Sequence, residues 1–373
     1  MRNKIITSFF CLLLAVSALT GLVMPDWYYS EREKRTLAQK PKLTVADFIS
    51  GEFSGELEKY LTDQVPLRDG WVTMKTYMEL AAGKRESGGV YICKDKYLMD
   101  KFTSYSYSKK QLAANVEALA ELQSKLAAEG VSMNTILVPM AAQVLTDKLP
   151  AHAPVTDYTA ILQVLTDAGV DTTDMLSALA AHSSENIYYR TDHHWTSLGA
   201  YYAANALRSS WGLPEIDQAT LTPEAVSDSF CGTLYSSSGF FWIAPDKMET
   251  LIAAPESSSV TRYETNGTEQ TLPLYNYDKL TIKDKYTFFL GGNIPRAVVD
   301  TGIENAPSLL ILRDSYADSL VPFMTDAFSE IHLIDLRYYT GSVREYIAEN
   351  AVARVLLLYS TDNFCSDSSL RIF

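Results

Sequence analysis

The chain has 373 residues, 47% of them hydrophobic and 21% charged, and a net charge of −13. That is the composition of a folded protein, long enough for one large α/β domain or two ordinary ones, and not of a disordered chain. With no block of lysine and arginine in its body, so acidic a surface repels phosphate backbones and argues against nucleic acid as a partner.

The first element is apolar. Arg2 and Lys4 precede residues 5–24, a run without a charge that Pro25 and Asp26 end. At about 1.5 Å rise per residue such a run covers the roughly 30 Å hydrocarbon core of a bilayer. The positive residues ahead of it place the rest of the chain outside the cytoplasm. Two readings stay open for residues 1–25: an uncleaved membrane anchor, or a signal peptide cut at the small residues Ala15-Val16-Ser17-Ala18. Cys11 lacks small residues just before it and makes no lipoprotein site. Cys93, Cys231 and Cys365 permit at most one disulfide and show no CxxC or CxH spacing, so they read as structural.

Residues 26–80 form a charged, amphipathic lead-in ("SEREKRTLAQKP", "YLTDQVPLRDGW") to a main domain over 81–373. In that domain Leu112, Val116, Leu119, Leu122 and Leu126 recur at helical spacing over 108–129, with Gly130 as the stop. "VSMNTILVP" (131–139) reads as a buried strand. A helix near 156–168, a short strand "GVDTTD", and a helix from about 174 follow. The C-terminal part repeats this grammar. "SLLILRDS" is a strand, 316–327 a helix, "IHLIDL" a strand, 342–350 a helix and "ARVLLLYS" a last strand. Strands alternating with helices predict an α/β fold with a mostly parallel sheet covered on both faces. Between these parts, residues 212–305 predict an irregular β-rich insertion with short alternating runs, "TLYSSSGFFW" and "KYTFFLGG" among them.

Only five histidines occur, and two stand side by side in "YYRTDHHWTSLGA". In an extended segment residues two apart share a side, so Asp192 can orient His194 while His193 points away. The strand Leu309-Leu310-Ile311-Leu312 runs straight into Arg313-Asp314-Ser315-Tyr316. A serine at such a strand-to-helix turn sits at the carboxyl edge of the sheet, where open α/β folds bind ligands. The helix behind it offers backbone N–H groups and a positive dipole end to an oxyanion. Serine needs a base held by a third group, and Ser315, His194 and Asp192 supply that set. Thr196 or Ser197 reads as a helix cap.

"TDHHW" resembles the signature of the DHHW family of extracellular bacterial proteins, similar to a branch of the SGNH hydrolases related to periplasmic alginate O-acetyltransferases. "GGVYICKDKYLM", "FCGTLYSSSG", "FFLGGN" and "LLILRDSYADSLVPF" resemble family blocks in family order. The resemblance implies an SGNH-hydrolase-like fold with permuted motif order, Arg313 standing where ordinary members have the glycine of a GDS block. It implies Ser315 as nucleophile, with Asp192 and His194 completing the triad. It also implies an acetyl donor, a polysaccharide acceptor and a membrane-bound O-acyltransferase as partner. Gly292 and Asn293, in "GGN" with Gly291, are candidate oxyanion donors. Arg313, Tyr316 and Trp195 are candidate substrate-side groups, although Trp195 reads first as a core or pocket-wall aromatic and an arginine beside a carboxylate as a structural ion pair. The chemistry so read needs no cofactor and no metal. A zinc reading of Asp192, His193 and His194 lacks HExxH or HxH spacing. A carbohydrate esterase with the same triad, and a non-catalytic envelope protein that binds a glycan, stay open beside the transferase.

Overall fold

The computed structural model describes residues 2–30, 35–255 and 257–371. Residues 31–34 of the charged lead-in, residue 256 of the insertion and the last residues, 372–373, lie outside it. Two compact units divide the chain: residues 1–88 with 236–242, and residues 89–235 with 243–373.

The first unit is helical. The helix Arg2–Val23 contains a stretch, Asn3–Gly21, long and apolar enough to cross a membrane. Helices Val45–Ser50, Glu52–Asp63 and Arg68–Ala81 follow. Thr44 caps the first of these by accepting the Asp47 N–H, and Arg35 donates to the Asp63 carboxylate at 2.8 Å. Within this unit Trp242 stacks on Tyr77 at 4.5 Å between ring centroids.

The second unit is built on a seven-stranded sheet. Its strands are β1 (Ser132–Val138), β2 (Ser259–Tyr263), β3 (Glu269–Pro273), β4 (Arg296–Asp300), β5 (Leu309–Arg313), β6 (Glu330–Ile334) and β7 (Arg354–Ser360), in the order β3-β2-β4-β6-β5-β7-β1. β6, β5, β7 and β1 are mutually parallel, so their carboxyl ends share one edge. β4, β2 and β3 come from the insertion and extend the sheet antiparallel at the far side.

Alternation along β5 explains why a fully apolar strand is central. Leu309 and Ile311 pack on one face with Ala200, Ala203, Ala204 and Leu207 of helix Ser197–Ser210. Leu310 and Leu312 pack on the other with Leu119, Leu122 and Leu126 of helix Lys109–Ala128. Both faces are covered, so hydrophobic side chains are needed at every position.

Several expected elements take another form. "GVDTTD" is reduced to one parallel bridge, Thr172 to Thr135 beside β1. The helix expected over 316–327 is one α turn, Ala317–Leu320, followed by a 3₁₀ turn, Val321–Met324. Pro322 lacks the N–H that an α-helix would use there. So short an element has little macrodipole, and the expected dipole support for an oxyanion falls away. "TLYSSSGFFW" is not a strand: Thr233–Ser238 is helical, and the Tyr235 N–H donates outside it to the Thr191 carbonyl at 2.9 Å. "KYTFFLGG" is a 3₁₀ turn, Lys285–Phe288, then a single antiparallel bridge of Phe289 to Tyr275 and a turn. Tyr286, Phe288 and Phe289 are all buried with Tyr189, Phe230 and Met248, which period-two alternation cannot achieve.

Candidate active site

The DHHW segment is the tip of a pinched loop. Tyr188 and Trp195 form an antiparallel bridge at its base, and Thr196 N–H reaches the Ile187 carbonyl at 2.9 Å. The tip is anchored by Asp246, whose Oδ2 accepts from the Thr191 N–H at 2.8 Å and its hydroxyl at 2.7 Å. Arg190 Nε donates to the other oxygen at 3.1 Å. Beyond the loop, Thr196 caps helix Ser197–Ser210 by accepting from the Gly199 N–H.

Asp192 is thereby fixed with three donors around it. Its Oδ1 accepts from the His194 backbone N–H at 3.0 Å and from His194 Nδ1 at 2.5 Å. Its Oδ2 accepts from the Thr233 N–H at 2.7 Å. Gly232 makes this approach sterically possible: a Cβ there would lie 2.2 Å from the Asp192 carboxylate.

Ser315 arrives from β5. The preceding residue, Asp314, is fully buried and holds the turn. Its Oδ1 accepts from the Tyr316 N–H at 3.0 Å. Its Oδ2 accepts from the Ser360 N–H and hydroxyl at 2.7 Å each and from Asn363 Nδ2 at 2.9 Å. The ends of the neighbouring parallel strands β5 and β7 are thus tied together through one carboxylate. Ser315 Oγ then stands 2.7 Å from His194 Nε2. With Nδ1–H donated to Asp192, Nε2 presents its lone pair to the serine hydroxyl.

Electrostatics fit that arrangement. Burial alone would raise the Asp192 pKa, but the charges of His193 and His194, the His194 hydrogen bond and the Thr233 N–H outweigh it. They hold the carboxyl well below its usual range. Burial, reinforced by the neighbouring His193 charge, pushes His194 below the ordinary histidine value against the pull of Asp192. His194 is therefore neutral near pH 7, the state a general base requires.

The structure reassigns His193, Tyr316, Arg313 and the "GGN" turn. His193 does not point away, because residues 191–194 are bends and not extended chain. Its ring lies 3.9 Å from that of His194. Trp195 is fully buried, with Nε1 donating to the Tyr316 carbonyl and to Ser319 Oγ at 2.8 Å, so it is the core aromatic and not a substrate platform. Tyr316 is 2% exposed and its hydroxyl donates to the His193 carbonyl, which holds the loop tip. Arg313 is 1% exposed and pairs with the equally buried Asp318 inside the fold. The "GGN" turn also serves another purpose. Gly292 N–H donates back to the Phe289 carbonyl at 3.4 Å. The carbonyls of Leu290, Gly292 and Asn293 receive Arg262, so this turn offers acceptors where an oxyanion needs donors.

Two groups escaped the sequence reading. Tyr286 lies flat on His194, and Thr233 with Gly232 seats Asp192. The second had a signal, the glycine of "FCGTLY"; Tyr286 had none. Ligand atoms of Asp192, His193 and His194 lie within 4.8 Å of one another, close enough for a shared ion. Both nitrogens of His194 are already directed, one to Asp192 and one to Ser315, so a metal would have to displace one of those bonds.

Comparison with known proteins adds the relatives. The family model "SGNH hydrolase-like domain, acetyltransferase AlgX" matches residues 91–259. The probable alginate O-acetylase AlgJ of Pseudomonas syringae pv. tomato is 21% identical over 202 residues, 52% of this chain and 51% of that protein. The AlgJ protein of Azotobacter vinelandii is 20% identical over 169 residues, 43% of this chain and 44% of that one. The chain thus spans about half the length of the curated relatives it matches. The crystal structure of a DHHW family protein from Eubacterium siraeum superposes with TM-score 0.64 at 25% identity, over 77% of this chain and 95% of that one. Bacillus cereus PatB1, solved with a sulfonyl adduct, has the same fold at TM-score 0.62 and 21% identity, over 76% of this chain and 99% of that one. The fold is SGNH-hydrolase-like, and the chain is similar to the DHHW family and to the alginate O-acetylases.

Proposed function

We propose that this chain, with the fold and motifs of the SGNH-hydrolase-like acetyltransferases, is an extracytoplasmic O-acetyltransferase acting on a cell-envelope or exported polysaccharide. Ser315 Oγ attacks the carbonyl carbon of an acetyl donor as its proton passes to His194 Nε2. Asp192 accepts the Nδ1–H and balances the imidazolium. The tetrahedral intermediate collapses, the donor's oxygen leaves with the proton from His194, and the acetyl group rests on Ser315. A sugar hydroxyl then attacks that ester and gives its proton to His194, which returns it to Ser315 Oγ as the acetylated sugar departs.

The observation that carries this reading is the continuous chain from Ser315 through His194 to Asp192 at the carboxyl edge of the parallel strands. Similarity to an AlgX-type acetyltransferase domain and to probable alginate O-acetylases supports acetyl transfer and a polysaccharide acceptor. The apolar helix Arg2–Val23 supports attachment to, or export across, a membrane. A membrane-bound O-acyltransferase fits as the supplier of acetyl groups on that side.

The test is a chromogenic acetyl ester assayed with and without candidate oligosaccharides, on the full chain in detergent and on its Ser315→Ala variant. Serine-dependent transfer to the sugar is the expected result. Hydrolysis unaffected by any sugar would assign the chain to the esterases instead. Glycan binding with no serine-dependent turnover would make it a non-catalytic envelope protein.

A further inference from the structure

We propose that His193 is a positioning residue for the triad: a positively charged imidazole held beside His194 that keeps His194 unprotonated and able to take the Ser315 proton. The role of His194 rests on the function proposed above; the relation between the two rings does not.

The geometry is specific. The two imidazole centroids are 3.9 Å apart with planes tilted by 36°. His193 Nδ1 lies 3.7 Å from Asp192 Oδ1, and its side chain is 30% exposed. The Tyr316 hydroxyl grips the His193 carbonyl, and the Tyr316 ring meets the imidazole edge-on at 5.9 Å. The backbone is therefore pinned while the ring edge reaches solvent, from which it exchanges a proton.

Carboxylates from four segments act electrostatically on this ring. Asp192 is on its own loop, Asp100 ends strand Leu98–Asp100, Asp362 opens helix Thr361–Ser366, and Asp314 follows β5. Protonated His194 is itself a cationic neighbour of the same cluster. Burial works against a charge on His193, but those four carboxylates outweigh it and raise its pKa. Burial pushes the Asp100 carboxyl up to about 7, with His193 opposing and Asp362 and Asp192 adding. His193 thus keeps its proton over a range in which His194 has lost its own. Two cationic rings at this distance repel, so a proton on His193 disfavours a second on His194. The same repulsion makes protonated His194 a stronger acid, suited to returning its proton to the leaving oxygen.

The experiment is a histidine ring titration by NMR on the full chain in detergent, together with the pH profile of kcat/KM. Five histidines make single-substitution assignment practical. In the unsubstituted protein His194 should titrate below the ordinary histidine value. In His193→Gln its midpoint, and the acid limb of kcat/KM, should move to higher pH. In His193→Lys, which restores a cation, both should stay low. Asp362→Asn leaves both rings in place, removes one of the carboxylates that favour a charged His193, and should lower the midpoint of His193. An unchanged His194 midpoint in folded His193→Gln would overturn the proposal. Should that variant not fold, an unchanged His193 midpoint in Asp362→Asn would do so. A shifted midpoint in a protein without serine-dependent turnover would uphold the proposal and sink the transferase reading; turnover with an unshifted midpoint would do the reverse.

Discussion

Tyr286 lies flat on the His194 imidazole, with centroids 3.7 Å apart and planes within 8°. Its hydroxyl meets Ser319 Oγ at 2.9 Å, the same oxygen that accepts from Trp195 Nε1. One face of the base is thereby sealed from water by a ring that is itself locked in place. Tyr286→Phe keeps the ring and leaves Ser319 its Trp195 partner, so activity should remain within a few-fold of the parent. Tyr286→Ala should open a cavity beside His194, costing about 3–5 kcal/mol of stability by analogy with other buried aromatic truncations. It should also reduce kcat far more than Phe does. Thermal melts and ester turnover on both variants check this, and equal activity in the two would refute the sealing role.

Substitutions in the triad test the chemistry directly. Ser315→Ala and His194→Ala should each lower turnover by a similar large factor, and the double variant should lose little more, because such groups act as a unit. Asp192→Asn should favour the wrong imidazole tautomer and cost on the order of 10⁴ in kcat, as in other serine triads. A serine-directed phosphonate should label the parent and not Ser315→Ala. Retained turnover in Ser315→Ala, abolished by a chelator, would move the chemistry to a metal held at Asp192, His193 and His194.

What could be read from the sequence divides along a physical line. The β5 run Leu309–Leu312 announces a strand covered on both faces, and the polar residues straight after it announce the carboxyl edge. Hence Ser315 could be placed without a structure. Asp192 and His194 are two residues apart, so their contact is nearly local, and the prediction that they meet survives even though the backbone there bends instead of extending. His193 shows the limit of that argument: its direction depends on φ and ψ at the bend, which the residue types do not declare. Tyr286 depends on a contact between distant segments, and nothing in "KDKYTFFLGG" marks it. The "GGN" turn misled because glycines suggest exposed N–H groups, whereas here they bring carbonyls together around Arg262.

Gly232 links a sequence block to site geometry, and it gives a steric prediction. A methyl group there would stand 2.2 Å from Asp192 Oδ2 and from its Cβ, a separation that real atoms do not tolerate. Gly232→Ala must push Asp192 away from the Thr233 N–H and rotate it off His194. Overpacking of this kind costs about 1–3 kcal/mol. Activity should fall by a factor approaching that of Asp192→Asn, whereas Thr233→Ala keeps its backbone N–H and should retain most turnover. Wild-type kinetics in Gly232→Ala would show that the carboxylate does not orient the base.

The Arg313–Asp318 pair yields a prediction about stability and pH. Both side chains are 1% exposed, directly behind the strand end that presents Ser315. Burial raises the Asp318 pKa so strongly that, even against the pull of Arg313 and then Arg262, it stands at about 6. Removing one partner of a buried ion pair leaves an uncompensated charge and costs about 3–5 kcal/mol. Arg313→Met should therefore be strongly destabilised at pH 7.5. Without Arg313 the Asp318 pKa rises further above its unfolded value. The folded variant then binds a proton that the unfolded chain, with a carboxyl near 3.9, does not hold. Stability of Arg313→Met should accordingly recover as pH falls from 7.5 towards 5, and adding Asp318→Asn should remove most of that pH dependence. Denaturant melts at the two pH values decide it. A deficit in Arg313→Met that is the same at both would mean that the cost is lost packing and not an unpaired carboxylate.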